Sequence, residues 1–242
     1  KSRFCYKYSN TLKRFLRVAI NTRFLLPNKL EGFGWYTYEV VSRLIKNNPD
    51  CEFILFFDRP VDAKFQFKGK VKNVVLSPPA RHPLLFFIWF EWSVRRALKK
   101  YKVDVFLSPD GYLSLFTKVP QINVIHDIGF EHYPKDLPWL ACKYLRFFFP
   151  RFAKKSQKII TVSTATKNDI IAKYNISPKK IKVAWNGVSS MYKPFDQSEK
   201  QHFYSEHTSS LPYFLFVGSI HPRKNVQRLV EAYSLFIKET NS

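Results

Sequence analysis

Short β-rich runs alternate with helix-patterned segments along most of the chain, and this alternation constrains the fold more than any other feature. Arg17–Asn21 (RVAIN), Glu52–Phe57 (EFILFF) and Val71–Leu76 (VKNVVL) read as strands, as do VDVFL from Val103, QINVI from Gln121, KIITVS from Lys158 and the run from Ile181. Between them Tyr38, Val41, Leu44 and Ile45 recur at helical spacing, and Leu84 to Lys100 is helical by length with a basic end. Tyr144 to Lys154 reads as part of a basic-aromatic helix, and Ser163 stands where it caps another. Strands separated by helices pair in parallel, and parallel sheets are covered on both faces. The expected fold is therefore α/β, a Rossmann-like doubly wound parallel sheet.

The pattern changes late in the chain. An Asn-Gly turn at Asn186 follows the last of these strands, and the stretch from Pro194 to Pro212 becomes polar and reads as a linker. Tyr213–Gly218 (YFLFVG) then reads as a buried strand, followed by the loop His221 to Asn225 (HPRKN) and a helix from Val226. About thirty residues cannot form an independent doubly wound domain. The expected organisation is one domain over residues 1–208, linker included, and the truncated start of a second Rossmann-like domain over 209–242. The alternative is a last helix that packs back on the first domain.

Composition narrows the class. With 45% hydrophobic residues in 242 the chain should bury a core, and 7 Gly exclude a collagen-like or Gly-rich linker reading. Cys5, Cys51 and Cys142 are odd in number and scattered, which fits neither a disulfide framework nor a paired zinc site and points to a reducing compartment. The basic start shows no export signal, and the longest apolar run, Leu84 to Trp92, is broken by Glu91 and falls short of the ~20 residues that cross a bilayer. We expect a cytoplasmic protein that does not span a membrane. No phosphate-binding G-x-x-x-x-G-K-[ST] loop, H-E-x-x-H or G-x-S-x-G occurs, so P-loop ATPases, zinc proteases and the hydrolase elbow are unsupported.

Three segments fall where such a sheet places its ligand crevice, at the carboxyl ends of the strands. Glu31-Gly32-Phe33-Gly34 lies between the first strand and first helix, where Gly32 and Gly34 permit close backbone approach and a helix N-terminus favours an anion. A plain tight turn would read the same way. His126 and Asp127 end another strand and face the same crevice, although strand ends also use polar groups to finish their backbone hydrogen bonds. Arg223 and Lys224 directly precede a helix, where cations and free N–H groups can converge on a phosphate; the alternative is a solvated basic loop.

Taken in order, EGFGWYTYEVVSRL (Glu31 to Leu44), VIHDIGF (Val124 to Phe130), IITVSTATKNDIIAKY (Ile159 to Tyr174), KVAWNGV (Lys182 to Val188) and YFLFVGSIHPRKNVQRLVEAY (Tyr213 to Tyr233) resemble family 4 (group 1) glycosyltransferases of the GT-B fold. The resemblance implies retaining transfer of a sugar from a nucleotide-sugar donor, bound between two Rossmann-like domains, to a glycan or lipid-linked acceptor held mainly by the N-terminal one. It implies that His126 and Asp127 belong to the catalytic centre, with His126 near the transferred sugar. It places Gly32, Gly34, Asn186, Gly218, Ser219, Arg223 and Lys224 on the donor side. Fixed cations and a helix N-terminus stabilise a leaving diphosphate without a metal, so neither metal nor cofactor is expected. Two departures stand out. Ser219 follows Gly218 where many members carry Arg, which leaves Lys224 a firmer match than Arg223. The family's later motif with two glutamates is absent, and the chain is expected to be an incomplete, inactive portion.

Forty Lys and Arg against 18 Asp and Glu give a net charge of +22. Much of it is interleaved with large apolar residues in Pro83 to Lys102 and Leu137 to Lys155. Trp89, Trp92 and Trp139, with Arg95, Arg96, Lys99, Lys100, Arg146 and Arg151, fit a surface that docks on an anionic membrane or holds the acceptor. The alternative is aromatics in the core and cations on a solvated face. Charge alone also admits nucleic acid, but no nucleic-acid motif accompanies it and none is expected as a partner. Three functions are thus weighed: a glycosyltransferase peripherally bound to the inner face of the cytoplasmic membrane in cell-surface polysaccharide synthesis, a non-catalytic acceptor- or membrane-binding module, and a nucleic-acid-binding α/β protein.

Overall fold

The computed structural model describes residues 15–28, 30–189, 192–211 and 213–240, without the Arg223 side chain; Cys5 lies outside this range. Seven strands, β1 (Arg17–Asn21), β2 (Glu52–Phe57), β3 (Val71–Val75), β4 (Val105–Ser108), β5 (Gln121–Ile125), β6 (Lys158–Thr161) and β7 (Ile181–Val183), form one sheet. All neighbours are parallel, in the order β3-β2-β1-β4-β5-β6-β7. In β1, Val18 pairs with Phe53 on one side and Val105 on the other. The chain winds outward in both directions from β1 and β4, and this reversal opens a crevice beyond their carboxyl ends.

The helices α1 (Gly32–Asn47), α2 (Pro83–Ile88), α3 (Arg95–Lys100), α4 (Gly129–His132), α5 (Trp139–Lys155) and α6 (Thr164–Tyr174) cross between the strands. The two-residue period of β2 explains how a run with no polar alternation is consumed. Ile54 and Phe56 enter a core with Trp89, Phe106 and Phe152, whereas Phe53, Leu55 and Phe57 enter another with Val41, Ile45 and Leu107. Full burial of each such side chain contributes roughly 1.5–3 kcal/mol. Ser163 caps α6 as expected, its hydroxyl accepting from the Thr166 N–H at 3.0 Å.

The segment from Leu84 to Lys100 is helical throughout, but Trp89–Val94 has π-helical spacing between α2 and α3. Trp89 is fully buried and its indole N–H donates to the Leu76 carbonyl at 3.1 Å, so it is a core residue and not a membrane anchor. Glu91 also turns inward, accepting from the Ser114 hydroxyl at 2.8 Å and from the Leu115 and Phe116 N–H groups at 2.6 and 3.1 Å. Those three bonds satisfy a buried carboxylate that broke the apolar run in the sequence.

Contacts divide the chain into two compact units, one ending at Gly187 and the other beginning at Val188. Asn186 lies in exposed coil after β7 and makes no turn. The polar stretch read as a linker contains α7 (Gln197–His207). Asp196 and Glu199 form a capping box, each side chain accepting from the other's N–H at 2.8 Å, which offsets a weak apolar pattern. Tyr213–Gly218 is not a strand: no second strand occurs among the described residues of this unit, and a strand needs a ladder partner. The helix after it forms as expected, α8 (Val226–Thr240).

Candidate functional site

The carboxyl ends of β1, β4 and β5 meet at the point where the sheet reverses. Beyond β1, Asn21, Thr22 and Arg23 are all buried. Beyond β4, the segment Ser108 to Tyr112 is tied to them from several directions. Asp110 accepts from Arg23 Nε at 2.6 Å and from Asn21 Nδ2 at 2.8 Å through Oδ2, and from the Ser108 hydroxyl at 2.9 Å through Oδ1. The side chains of Arg23 and Asp110 are only 4% and 3% exposed, so this ion pair is sealed in the protein. Arg23 also packs against aromatic rings, 4.3 Å from the centroid of Tyr112 and 4.8 Å from those of Phe24 and Phe86.

His126 follows β5 and sits on this knot. Its Nε2 is 2.8 Å from the Pro109 carbonyl oxygen. A carbonyl only accepts, so Nε2 carries the proton and a neutral ring presents Nδ1 as an acceptor. Nδ1 has no hydrogen-bond partner among the described residues and is not sealed off: the buried side-chain polar atom left unpartnered there is Asn123 Oδ1. Burial holds His126 below the ordinary imidazole pKa, opposed by the Pro109 bond and the charges of Asp110 and Asp127. The ring is pinched by two aromatic edges from α1, with centroids of Phe33 and Tyr36 each 4.7 Å away. The backbone is fixed as well, because the Thr166 hydroxyl at the start of α6 donates to the His126 carbonyl at 2.9 Å.

The two glycines expected in a loop stand in the first turn of α1, which begins at Gly32. A Cβ on Gly34 would come within 2.8 Å of the Phe24 carbonyl oxygen and of a Leu30 methyl, while one on Gly32 would meet nothing within 4 Å. Gly34 thus lets α1 approach the β1 loop closely enough for Phe33 and Tyr36 to reach His126, and Gly32 is exposed at the helix entrance. Asp127 is exposed and its Oδ1 accepts from the Gly129 N–H at 2.9 Å, starting α4. The structure thus gathers the first turn of α1, His126 and Asp127 at one sheet end, while Asn186 is in coil after β7. Gly218, Ser219 and Lys224 belong to the second unit and are exposed, with Lys224 in a short 3₁₀ turn just before α8.

Arg23 and Asp110 escaped the sequence reading. Their signal was an Arg two residues past a strand and a Ser-Pro-Asp-Gly stretch after another, both of which pass for ordinary loop chemistry. No group of His, Cys, Asp and Glu able to hold a metal occurs among the described residues.

A family model, Glycosyltransferase Family 4, matches residues 30–190, which include the first turn of α1, the Ser108 to Tyr112 segment, His126 and the start of α6. The chain belongs to glycosyltransferase family 4. It is 27% identical over 226 residues to O-antigen chain mannosyltransferase B of Escherichia coli, covering 87% of this chain and 58% of that protein. It is 26% identical over 149 residues to O-antigen chain mannosyltransferase RfbU of Salmonella typhimurium, covering 62% of this chain and 38% of that one. The chain thus spans between about two fifths and three fifths of these relatives. Anabaena Alr3699/HepE, solved in complex with UDP and glucose, shares the fold at a TM-score of 0.51 and 14% identity over 80% of this chain and 50% of that one.

The basic-aromatic helices belong to the same glycosyltransferase-family unit, and Phe86 of α2 and Tyr144 of α5 pack on Tyr112 beside the site. Trp92 and Trp139 are 63% and 69% exposed. Each has a cation one turn on: Arg96 lies 5.4 Å from the Trp92 ring, Lys143 4.0 Å from Trp139, and Arg151 3.6 Å from Phe147. Arg95, Lys99 and Lys100 are exposed, whereas Arg146 pairs with Glu131 at 3.1 Å.

Proposed function

We propose that these residues supply the acceptor-side domain and the first part of the donor-side domain of a retaining glycosyltransferase that moves a sugar from a nucleotide-sugar donor to a glycan or lipid-linked acceptor in cell-surface polysaccharide synthesis. The observation that carries the reading is His126, held neutral at the sheet's reversal point between Phe33 and Tyr36, inside the span that matches the family. Two O-antigen mannosyltransferases among the relatives support the polysaccharide setting, and HepE, solved with UDP and glucose, supports a nucleotide-linked donor.

The chemistry asks for little from a protein base. As the glycosidic bond to the diphosphate lengthens, positive charge develops on the sugar ring and negative charge on the leaving group. A neutral His126 with Nδ1 open offers an acceptor to a sugar hydroxyl and adds no positive charge beside the forming oxocarbenium. On the donor side, Lys224, Arg223 and the N-terminus of α8 supply positive charge to the diphosphate, so no metal is required. Trp92 and Trp139, each flanked by a cation, give the protein a face for the anionic inner leaflet of the cytoplasmic membrane, where a lipid-linked acceptor is presented.

The reading is tested by incubating the product of the longest reading frame that contains these residues with a panel of nucleotide-sugars and a lipid-linked glycan acceptor. It expects one donor to be consumed with formation of an extended glycan. Failure of every donor to bind or react would overturn it.

A further inference from the structure

The buried Arg23–Asp110 pair makes no hydrogen bond to His126, and every residue flanking Pro109 is fastened. Ser108 is held by Asn21 Nδ2 at 3.0 Å, Asp110 by Asn21 and Arg23, the Tyr112 N–H by Asp110 Oδ1 at 3.2 Å, and the Gly111 carbonyl by Asn123 Nδ2 at 3.0 Å. Gly111 has φ near +90°, and a Cβ there would strike the Phe149 ring at 2.7 Å, so the turn has one available backbone path. The carbonyl of Pro109 is thereby left pointing at His126 Nε2. A charged pair is a costly way to hold a turn, since burying two charges is offset only by close geometry. Hydrophobic packing alone would not aim a carbonyl.

We propose that Arg23 and Asp110 are positioning residues that set the tautomer of His126: by fixing the Pro109 carbonyl they hold the proton on Nε2 and leave Nδ1 as the acceptor open to the crevice. The pair acts on the ring through the turn and needs no contact with substrate. In the other tautomer Nδ1 would donate, and a sugar hydroxyl would meet a donor where this geometry offers a lone pair. Assignment of that lone pair to a sugar rests on the proposed function, but the tautomer itself does not.

The test is nitrogen NMR of the imidazole in the protein without substrate, which reads protonation at each ring nitrogen. Wild type should show an unprotonated Nδ1 and a protonated Nε2. In the double variant Arg23→Met with Asp110→Leu, which leaves no lone buried charge, the preference for Nε2–H should fall about five-fold or more, the bias of one net hydrogen bond. Ser108→Ala keeps both charges, is small enough to fold, and should shift the ratio in the same direction. A wild-type ring protonated on Nδ1, or a folded double variant with an unchanged ratio, would overturn the proposal. If the double variant unfolds and Ser108→Ala leaves the tautomer unchanged, the pair serves folding alone and the proposal is equally overturned. None of these readings depends on transferase activity, so failure of the functional assignment and of the positioning role are distinguishable.

Discussion

Nε2 of His126 lies 2.8 Å from the carbonyl oxygen of Pro109, a bond that joins the ends of the neighbouring strands β5 and β4. It makes the imidazole part of the scaffold on one side and leaves the other nitrogen for chemistry.

This arrangement favours a neutral ring, and stability should therefore depend on pH. Burial lowers the folded-state pKa of His126 below 6.5, against the Pro109 bond, Asp110 and Asp127; Tyr36, packed on the ring, is pushed upward and stays neutral. Below 6.5 the unfolded chain binds the proton more readily than the native one, so stability falls with falling pH. The His126 contribution is whole above 6.5 and is lost as pH drops through the lowered native value. Denaturant melts of wild type and His126→Asn across this range should diverge on acidification. Parallel curves would show that His126 is not the group responsible.

The two glycines of α1 should behave in opposite ways. Gly34→Ala forces a methyl against the Phe24 carbonyl and should cost about 1–3 kcal/mol, whereas Gly32→Ala enters open space and should be neutral or stabilise by up to about 1 kcal/mol. Thermal or denaturant unfolding of the two variants settles the contrast, and equal effects would contradict it.

Tryptophan variants separate core from surface. Trp89→Ala should lose about 3–5 kcal/mol of stability, as for other large core truncations. Trp92→Ala and Trp139→Ala should leave folding nearly intact while weakening co-sedimentation with anionic vesicles more than with neutral ones. Added salt should reduce but not abolish binding. Equal binding to both vesicle types, or none, would leave these residues as a solvated face.

Much of this architecture was legible in sequence. The seven strand runs of the first unit were found within a residue or two because β-branched and aromatic residues cluster there, and the sheet followed from their spacing with helices. The elements that misled did so through context. Tyr213–Gly218 has the composition of a buried strand but no ladder to join. Trp89 and Trp92 look alike on a helix until the side facing Leu76 is known. At the site, His126 was visible at a strand end, but Asp110 was not, because its meaning lies in partners 87 and 89 residues away.

Donor-side charge also makes a prediction. The proposed function puts positive charge from Lys224 and the N-terminus of α8 on the leaving diphosphate, and it therefore expects turnover to persist after exhaustive chelation. Loss of activity restored by a divalent ion would contradict it.

The most direct test is sugar transfer by the longest natural product containing these residues, comparing wild type with His126→Ala at matched folding. The account predicts a fall of roughly 10²–10³-fold, the scale of one lost transition-state contact in a preorganised site, with a stability cost above pH 7 of about 1–3 kcal/mol for the lost Pro109 bond, which leaves the variant folded. A variant that transfers sugar at the wild-type rate would contradict it.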